Sequence, residues 1–172
     1  MVLGMSLQTY TAVHEIISLI GIGSGLVVVA GLLANKRLDR WTAIFLVTTV
    51  LTSVTGFLFP FKQVTPGIVL GVLSLIALTV AIVARYSRHL IGGWRRTYVI
   101  AAVVSLYFNV FVLVVQSFEK VSVLHALAPT QKEAPFGITQ LVVLIAFVVV
   151  GIMAVKKFRA APVAVTSGRV AA

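Results

Sequence analysis

Five apolar runs, each long enough to cross a membrane as a helix, occupy most of this chain. The hydrocarbon core of a bilayer is about 30 Å thick and needs roughly 20 apolar helical residues, with a range of about 17–25. Of the 172 residues, 60% are hydrophobic and only 10% are charged, whereas a soluble domain carries about 25% charged residues. The pattern predicts an all-α, polytopic transmembrane helical bundle with spans at residues 11–34, 41–59, 67–84, 97–117 and 137–155.

The basic residues predict how the spans are oriented. Eleven of the 14 Lys and Arg residues lie in the first loop, in the third loop or after the last span, and three lie on the alternate side. The positive-inside rule therefore places the N-terminus outside and the C-terminus in the cytoplasm. Residues 1–159 are predicted to form a single transmembrane domain, and residues 160–172 a disordered cytoplasmic tail. The eleven are Lys36, Arg37, Arg40, Arg85, Arg88, Arg95, Arg96, Lys156, Lys157, Arg159 and Arg169; the three are Lys62, Lys120 and Lys132.

The net charge of +10 does not indicate a nucleic-acid partner, because the basic residues are spread over short loops between apolar runs. We expect these cytoplasmic loops to contact anionic lipid headgroups instead. A unit of this size is also compatible with homo-oligomerisation or with membership of a larger membrane complex. The absence of cysteine excludes disulfides, thiolate metal sites and thiol nucleophiles.

Small residues mark predicted faces for helix packing. The first span contains Gly21-x-x-x-Gly25, a small-xxx-small pattern that lets two helices approach closely. His14 lies above these glycines on the same helical stripe. In the second span, Thr52 and Thr55 share one stripe, and we assign both to helix packing.

Polar side chains are concentrated in the predicted outer halves of the spans. Two interpretations remain open for them: they line a polar cavity open to the outside, or they hydrogen-bond between helices and hold the bundle together. His14 is either an interfacial packing residue or a ligand or proton carrier, and its neighbouring carboxylate either contributes to the site or simply reaches water. The pocket candidates are His14, Glu15, Asn109, Gln116 and Gln140.

The histidines allow a metal or haem hypothesis, with His14 and His125 as the weak candidates. Two neutral imidazoles are adequate axial haem ligands, but no predicted span has a histidine in its interior. Enzymatic motifs are missing as well: the pair His14-Glu15 lacks the second histidine of H-E-x-x-H. The sequence therefore predicts no particular cofactor and favours a non-enzymatic protein.

Three functional hypotheses follow. The preferred one is a small integral membrane protein that binds or passes a small solute or a proton through an outer-half polar pocket. The second is a haem- or metal-binding redox protein that uses His14. The third is a structural or accessory subunit of a larger membrane complex, whose polar residues only connect helices.

Four stretches, "TSVTGFLFPF", "ARYSRHL", "FNVFVLVVQSFEKV" and "LAPTQKEAPF", resemble an uncharacterised family of small proteobacterial integral membrane proteins. The resemblance extends over about residues 12–155. It implies a multi-pass protein of the bacterial inner membrane and a compact helical bundle. It implies no reaction, because none is assigned to the family.

Overall fold

The computed structural model describes residues 2–60 and 66–159, and apart from one isolated bridge between Val2 and Met5 its elements are helical. This confirms the all-α helical bundle predicted from the sequence. The predicted tail at residues 160–172 lies outside the described residues. The elements are α1 (Leu7–Leu33), α2 (Asp39–Gly56), α3 (Pro66–Ile82), a π-helical segment (Val83–Ser87), α4 (Trp94–Lys120), α5 (Ser122–Leu127) and α6 (Ala134–Lys157).

Four helical stretches are long and apolar enough to cross a membrane: α1, α3 with its π-helical segment, α4 and α6. This is the signature of a membrane protein. The predicted second span falls in α2, which has 18 residues, starts with Asp39 and Arg40, and contains five threonines. A membrane crossing by α2 stays a prediction, because its length and composition are less clearly those of a span.

Several helices extend beyond the predicted bounds because capping and water-exposed turns lengthen them past the apolar runs, whereas α2 ends at Gly56, three residues before the predicted residue 59. The backbone N–H of Thr9 donates to the side-chain oxygen of Ser6 at 3.1 Å, so α1 begins four residues before the predicted residue 11. The connection predicted at residues 118–136 contains the short helix α5 and the last turn of α4. At Ser6, a side-chain hydrogen bond outside the apolar run therefore determines where α1 begins.

Contacts between helix ends show which helix termini lie together at each end of the bundle. At the N-terminal end, where α1 begins, the Tyr10 hydroxyl donates to the backbone oxygen of Thr55 at 2.7 Å. At the opposite end, the backbone N–H of Arg159 donates to Oδ1 of Asn35 at 2.6 Å. At that same end, Arg85 after α3 and Tyr98 at the start of α4 contact the start of α2. The five long helices therefore alternate in direction. We call the second end the basic end, because it carries Lys36, Arg37, Arg40, Arg85, Arg88, Arg95, Arg96, Lys156, Lys157 and Arg159.

The core forms where α1, α2 and α4 cross. A Cβ atom added at Gly25 would lie 2.6 Å from Cδ1 of Leu106 and 2.9 Å from ring carbons of Phe45. Both of those side chains are buried. The absence of a side chain at Gly25 is therefore what allows the three helices to pack this closely.

Candidate functional site

His14 lies at the N-terminal end, where the start of α1 meets the end of α2. Its Nδ1 is 2.8 Å from Oγ1 of Thr55, and its ring packs edge-on against Phe59 with centroids 5.2 Å apart. The Thr55 hydroxyl already donates its hydrogen to the backbone oxygen of Leu51 at 2.7 Å. Since a hydroxyl carries one hydrogen, we assign the imidazole hydrogen to Nδ1, from which it is donated to the Thr55 oxygen.

This contact determines what the imidazole presents to a ligand. When Nδ1 of a neutral imidazole carries the hydrogen, Nε2 is a hydrogen-bond acceptor. In the part of the chain that the structure describes, Nε2 of His14 has no hydrogen-bond partner. The partly buried ring is thus held by Thr55 and Phe59 with its basic nitrogen available.

Glu15 and Gln116 make their contacts at the exposed rim of the same end. The Glu15 carboxylate forms an ion pair with Lys120 on α4, and the two side chains are 45% and 49% exposed. Exposed ion pairs contribute about 0–1 kcal/mol, so this pair orients the ends of α1 and α4 more than it stabilises them. Nε2 of Gln116 lies 3.4 Å from Oε2 of Glu119, three residues later on the same helix.

Asn109 lies in a buried junction of three helices. Its Nδ2 donates to Oγ1 of Thr49 on α2 at 3.3 Å. A Cβ atom added at Gly21 of α1 would lie 3.2 Å from that same oxygen and 3.5 Å from Nδ2 of Asn109. The glycine therefore admits the polar pair between α2 and α4, and the pair connects two helices in the interior.

In the described part of the chain, the side-chain amide of Gln140 has a hydrogen-bond partner for its nitrogen but not for its oxygen. Its Nε2 donates to the backbone oxygen of Phe111 on α4 at 3.2 Å. Its Oε1 is buried and has no hydrogen-bond partner among the described residues. A buried unsatisfied acceptor costs about 1–3 kcal/mol, so this oxygen favours a donor supplied by a water molecule or a ligand.

No hydrogen bond joins any two of the five pocket candidates in the described part of the chain, and each is bonded to a different partner. The four residues predicted to serve helix packing make different kinds of contact. Gly21 and Gly25 face α2 and α4 at close approach, Thr55 holds His14, and Thr52 donates only to its own helix at Thr48. In this part of α2, Thr49 and Ser53 make the buried polar contacts with other helices, and the Ser53 hydroxyl lies 3.2 Å from that of Ser74 on α3.

The two histidines named as metal candidates are engaged separately. His125 is exposed on α5, and its Nδ1 lies 3.3 Å from the backbone oxygen of Phe118. No contact links it to His14 in residues 2–60 and 66–159. Those ranges also contain no group of three or more His, Asp or Glu side chains arranged to hold a metal ion. Haem or metal ligation stays a prediction.

An ion pair at the basic end was not anticipated from the sequence. Arg85, assigned to a basic loop, is only 2% exposed and pairs with Asp39, which also accepts from Nε of Arg37 at 3.0 Å. The guanidinium carbon of Arg85 lies 5.1 Å from the ring centre of Tyr98 and 5.8 Å from that of Tyr86. The sequence feature that could have indicated this ion pair is Asp39, the one acidic residue among the predicted cytoplasmic loops.

Further polar contacts fasten the basic end. The Tyr98 hydroxyl lies 3.5 Å from Oγ1 of Thr42, which connects α4 to the start of α2. The guanidinium of Arg95 donates to the backbone oxygens of Val155, in the last turn of α6, and of Phe158, the residue that caps this helix. A cation at the C-terminus of a helix is favourable because it meets unpaired carbonyls and the negative end of the helix dipole.

The loop before α6 is ordered by Glu133. Its carboxylate accepts from the backbone N–H and the hydroxyl of Thr130 and from the backbone N–H of Lys132, at 2.8–3.3 Å. Desolvation acts to raise the pKa of Glu133, but these hydrogen bonds outweigh it and hold that pKa below its ordinary value. Within the same loop, Nε2 of Gln131 donates to the backbone oxygen of Val115 at 3.1 Å, so the loop folds back onto α4.

Comparisons of this chain with models of protein families, with curated proteins and with solved structures give no significant match. The kinship with small proteobacterial inner-membrane proteins therefore stays a prediction from the sequence.

Proposed function

We propose that the protein crosses a bacterial inner membrane five times, with its N-terminus outside and its basic end in the cytoplasm. Two observations support a crossing by α2. Its start contacts α4 through Thr42 and Tyr98, and its end contacts α1 through Thr55 and Tyr10, so it runs between the same two ends as the long helices. Its 18 residues span about 27 Å, close to the bilayer core of about 30 Å.

We further propose that the protein is non-enzymatic and binds or passes a small solute or a proton from the outside. The observation that carries this is the orientation of His14, which is held through Nδ1 by Thr55 and has an acceptor at Nε2 without a partner among the described residues. Imidazole, with an ordinary pKa of about 6.5, exchanges protons in the physiological range.

The other pocket candidates take secondary roles in this proposal. The buried Oε1 of Gln140 is a second acceptor to which residues 2–60 and 66–159 supply no donor. Each of these acceptors by itself favours a solute that donates hydrogen bonds, such as an ammonium, an amide or an alcohol. Asn109 and Gln116 supply orientation from α4, and Glu15 sets the charge of the rim through its pair with Lys120.

Proton flux into liposomes tests the role of His14. The purified protein is reconstituted with a pH-sensitive dye inside the vesicles, and a pH step is applied from the side of the N-terminal end. We expect flux above that of empty vesicles for the wild type and for the control His125→Ala, which changes an exposed histidine. We expect His14→Ala to reduce the flux to background. Flux that is the same in His14→Ala and wild type would refute proton passage at this residue.

A second candidate, an accessory subunit of a membrane complex, is favoured by the contacts of Asn109 and Ser53. Both use their polar groups for hydrogen bonds between helices, to Thr49 and Ser74 respectively. Gentle solubilisation of native membranes followed by size fractionation separates the two candidates. An accessory subunit migrates with a larger complex and is released by Asn109→Leu, while proton flux in liposomes stays at background in every variant.

A further inference from the structure

A long apolar groove runs between α4 and α6 in the half of the bundle nearest the basic end. Its volume is about 410 Å³. Its walls are aliphatic and aromatic, from Ile100 to Tyr107 on α4 and from Leu144 to Val155 on α6, and Lys156 closes one end. Gly151 lies in the floor, where an added Cβ atom would meet only Val103 at an ordinary contact distance of 3.5 Å.

The length of the groove indicates what it can hold. From Leu144 to Lys156 the α6 wall rises twelve residues, or about 18 Å. One leaflet of the hydrocarbon core is about 15 Å thick, half of the full bilayer core. The groove therefore matches a single acyl chain in one leaflet, whereas a partner helix would require contact over the whole core of about 30 Å.

Two cations lie at the mouth of the groove. Lys156 is exposed at its end, and Arg96, also exposed, precedes Ile100 by one helical turn on the same face of α4. Neither side chain makes a hydrogen bond or an ion pair with the residues that the structure describes. Two neighbouring arginines are engaged: Arg95 caps α6, and Arg88, in the loop before α4, stacks on Trp94.

We propose that this groove is a specific site for an anionic phospholipid. One acyl chain lies between α4 and α6, and the phosphate lies between Arg96 and Lys156. The lipid belongs to the leaflet that the basic end faces. This site is independent of the solute or proton site at the N-terminal end, because it uses neither the same residues nor the same half of the bundle.

Native mass spectrometry of the protein released from mixed bilayers tests the site. The bilayer contains equal amounts of phosphatidylglycerol and phosphatidylcholine with identical acyl chains, and the ratio of retained lipids is measured. Each cation near a phosphate favours the anionic lipid by about fivefold, so two predict a preference of about 25-fold. We expect Arg96→Gln/Lys156→Gln to reduce the preference to near unity, and the control Lys157→Gln, a neighbouring cation outside the groove lining, to preserve it.

A second variant tests the acyl chain separately from the charges. Gly151→Leu fills the groove and should abolish retention of both lipids, whereas Gly23→Leu should not. Gly23 is the matched control, because it is exposed on α1 with no atom within 4 Å of an added Cβ. Circular dichroism checks that all variants keep their helix content.

Three results would overturn the proposal. Unchanged lipid preference in Arg96→Gln/Lys156→Gln would show that the cations do not bind the phosphate. Unchanged retention in Gly151→Leu would show that the groove does not hold the chain. A wild-type dimer that becomes a monomer in Gly151→Leu, without a change in retained lipid, would show that a second copy of the protein fills the groove.

Discussion

Replacing Gly25 by alanine should destabilise the bundle at the crossing of α1, α2 and α4. The added Cβ atom would lie 2.6 Å from Cδ1 of Leu106 and 2.9 Å from the ring of Phe45. Those side chains are 0% and 1% exposed, so neither can move away without displacing other core atoms. Overpacking of this kind costs about 1–3 kcal/mol.

The intrinsic helix preference acts in the opposite direction. Alanine is favoured over glycine inside a helix by about 1 kcal/mol, so Gly25→Ala alone should change the free energy of unfolding by a net loss of about 0–2 kcal/mol. The same substitution at Gly23, which has no atom within 4 Å, carries the helix preference without the clash. The difference between the two variants therefore isolates the steric cost, which should be about 1–3 kcal/mol.

Unfolding in mixed micelles of increasing denaturing detergent, followed by circular dichroism, measures that difference. The double variant Gly25→Ala/Leu106→Ala adds a test of mechanism, because removing the leucine makes room for the new methyl group. We expect the two substitutions to be less destabilising together than the sum of their separate effects. A Gly25→Ala protein as stable as Gly23→Ala, or strictly additive effects in the double variant, would refute close packing at this crossing.

Four further predictions concern other parts of the chain, the proposed topology and the redox hypothesis. Arg85→Met should lower the free energy of unfolding by about 1–2 kcal/mol, because it removes an ion pair and two cation–π contacts. The control Arg40→Met replaces an exposed arginine and should change the free energy of unfolding by less than about 0.5 kcal/mol in the same detergent titration. The hydrogen bonds of the Glu133 carboxylate should contribute their full stability above the pKa that this carboxyl has in the unfolded chain. That contribution should be lost as the pH falls through the lower pKa of the folded state. An NMR titration of the Glu133 carboxyl with a midpoint at or above the ordinary glutamate value would contradict this. The chain has no native cysteine, so Ser122→Cys introduces a single thiol that reports topology directly. With five spans and the N-terminus outside, an impermeant maleimide should label this thiol in intact cells. With four spans, in which α2 does not cross, the thiol should be protected from labelling. An absorption spectrum with elemental analysis tests the remaining redox hypothesis, since a Soret band or stoichiometric metal that disappears in His14→Ala would make that histidine a ligand.

The helical bundle was predictable because the length of an apolar run, compared with the thickness of a membrane, can be read from the sequence locally. A run of about 20 apolar residues indicates a helix whatever its neighbours are, and α1, α3, α4 and α6 all follow such runs. The helix ends were less predictable. Ser6 extends α1 by a side-chain cap, and α5 forms in a segment that was expected to be a loop, because both depend on hydrogen bonds made outside the apolar pattern.

The partners of the polar residues were not predictable, because they depend on the rotation of one helix against another. Adjacent positions on a helix differ by about 100°, so the sequence alone does not determine which threonines of α2 face its neighbours. The structure turns Thr49 and Ser53 inward and leaves Thr52 bonded to its own helix. The burial of Arg85, which the sequence places in a basic cytoplasmic loop, is unpredictable for the same reason, because it depends on tyrosine rings from two separate segments.

This distribution of partners bears on function. In a bilayer each polar atom must find a partner within the protein, so a group of polar residues that looks like one pocket in the sequence can divide into separate pairs between helices. Asn109 has done so with Thr49, and such a pair needs no ligand to explain it. The acceptors on His14 and Gln140 differ, because the described chain supplies neither with a donor. Substitution at these two positions, rather than at Asn109, is therefore what separates a protein that binds something from one that is only held together by its polar residues.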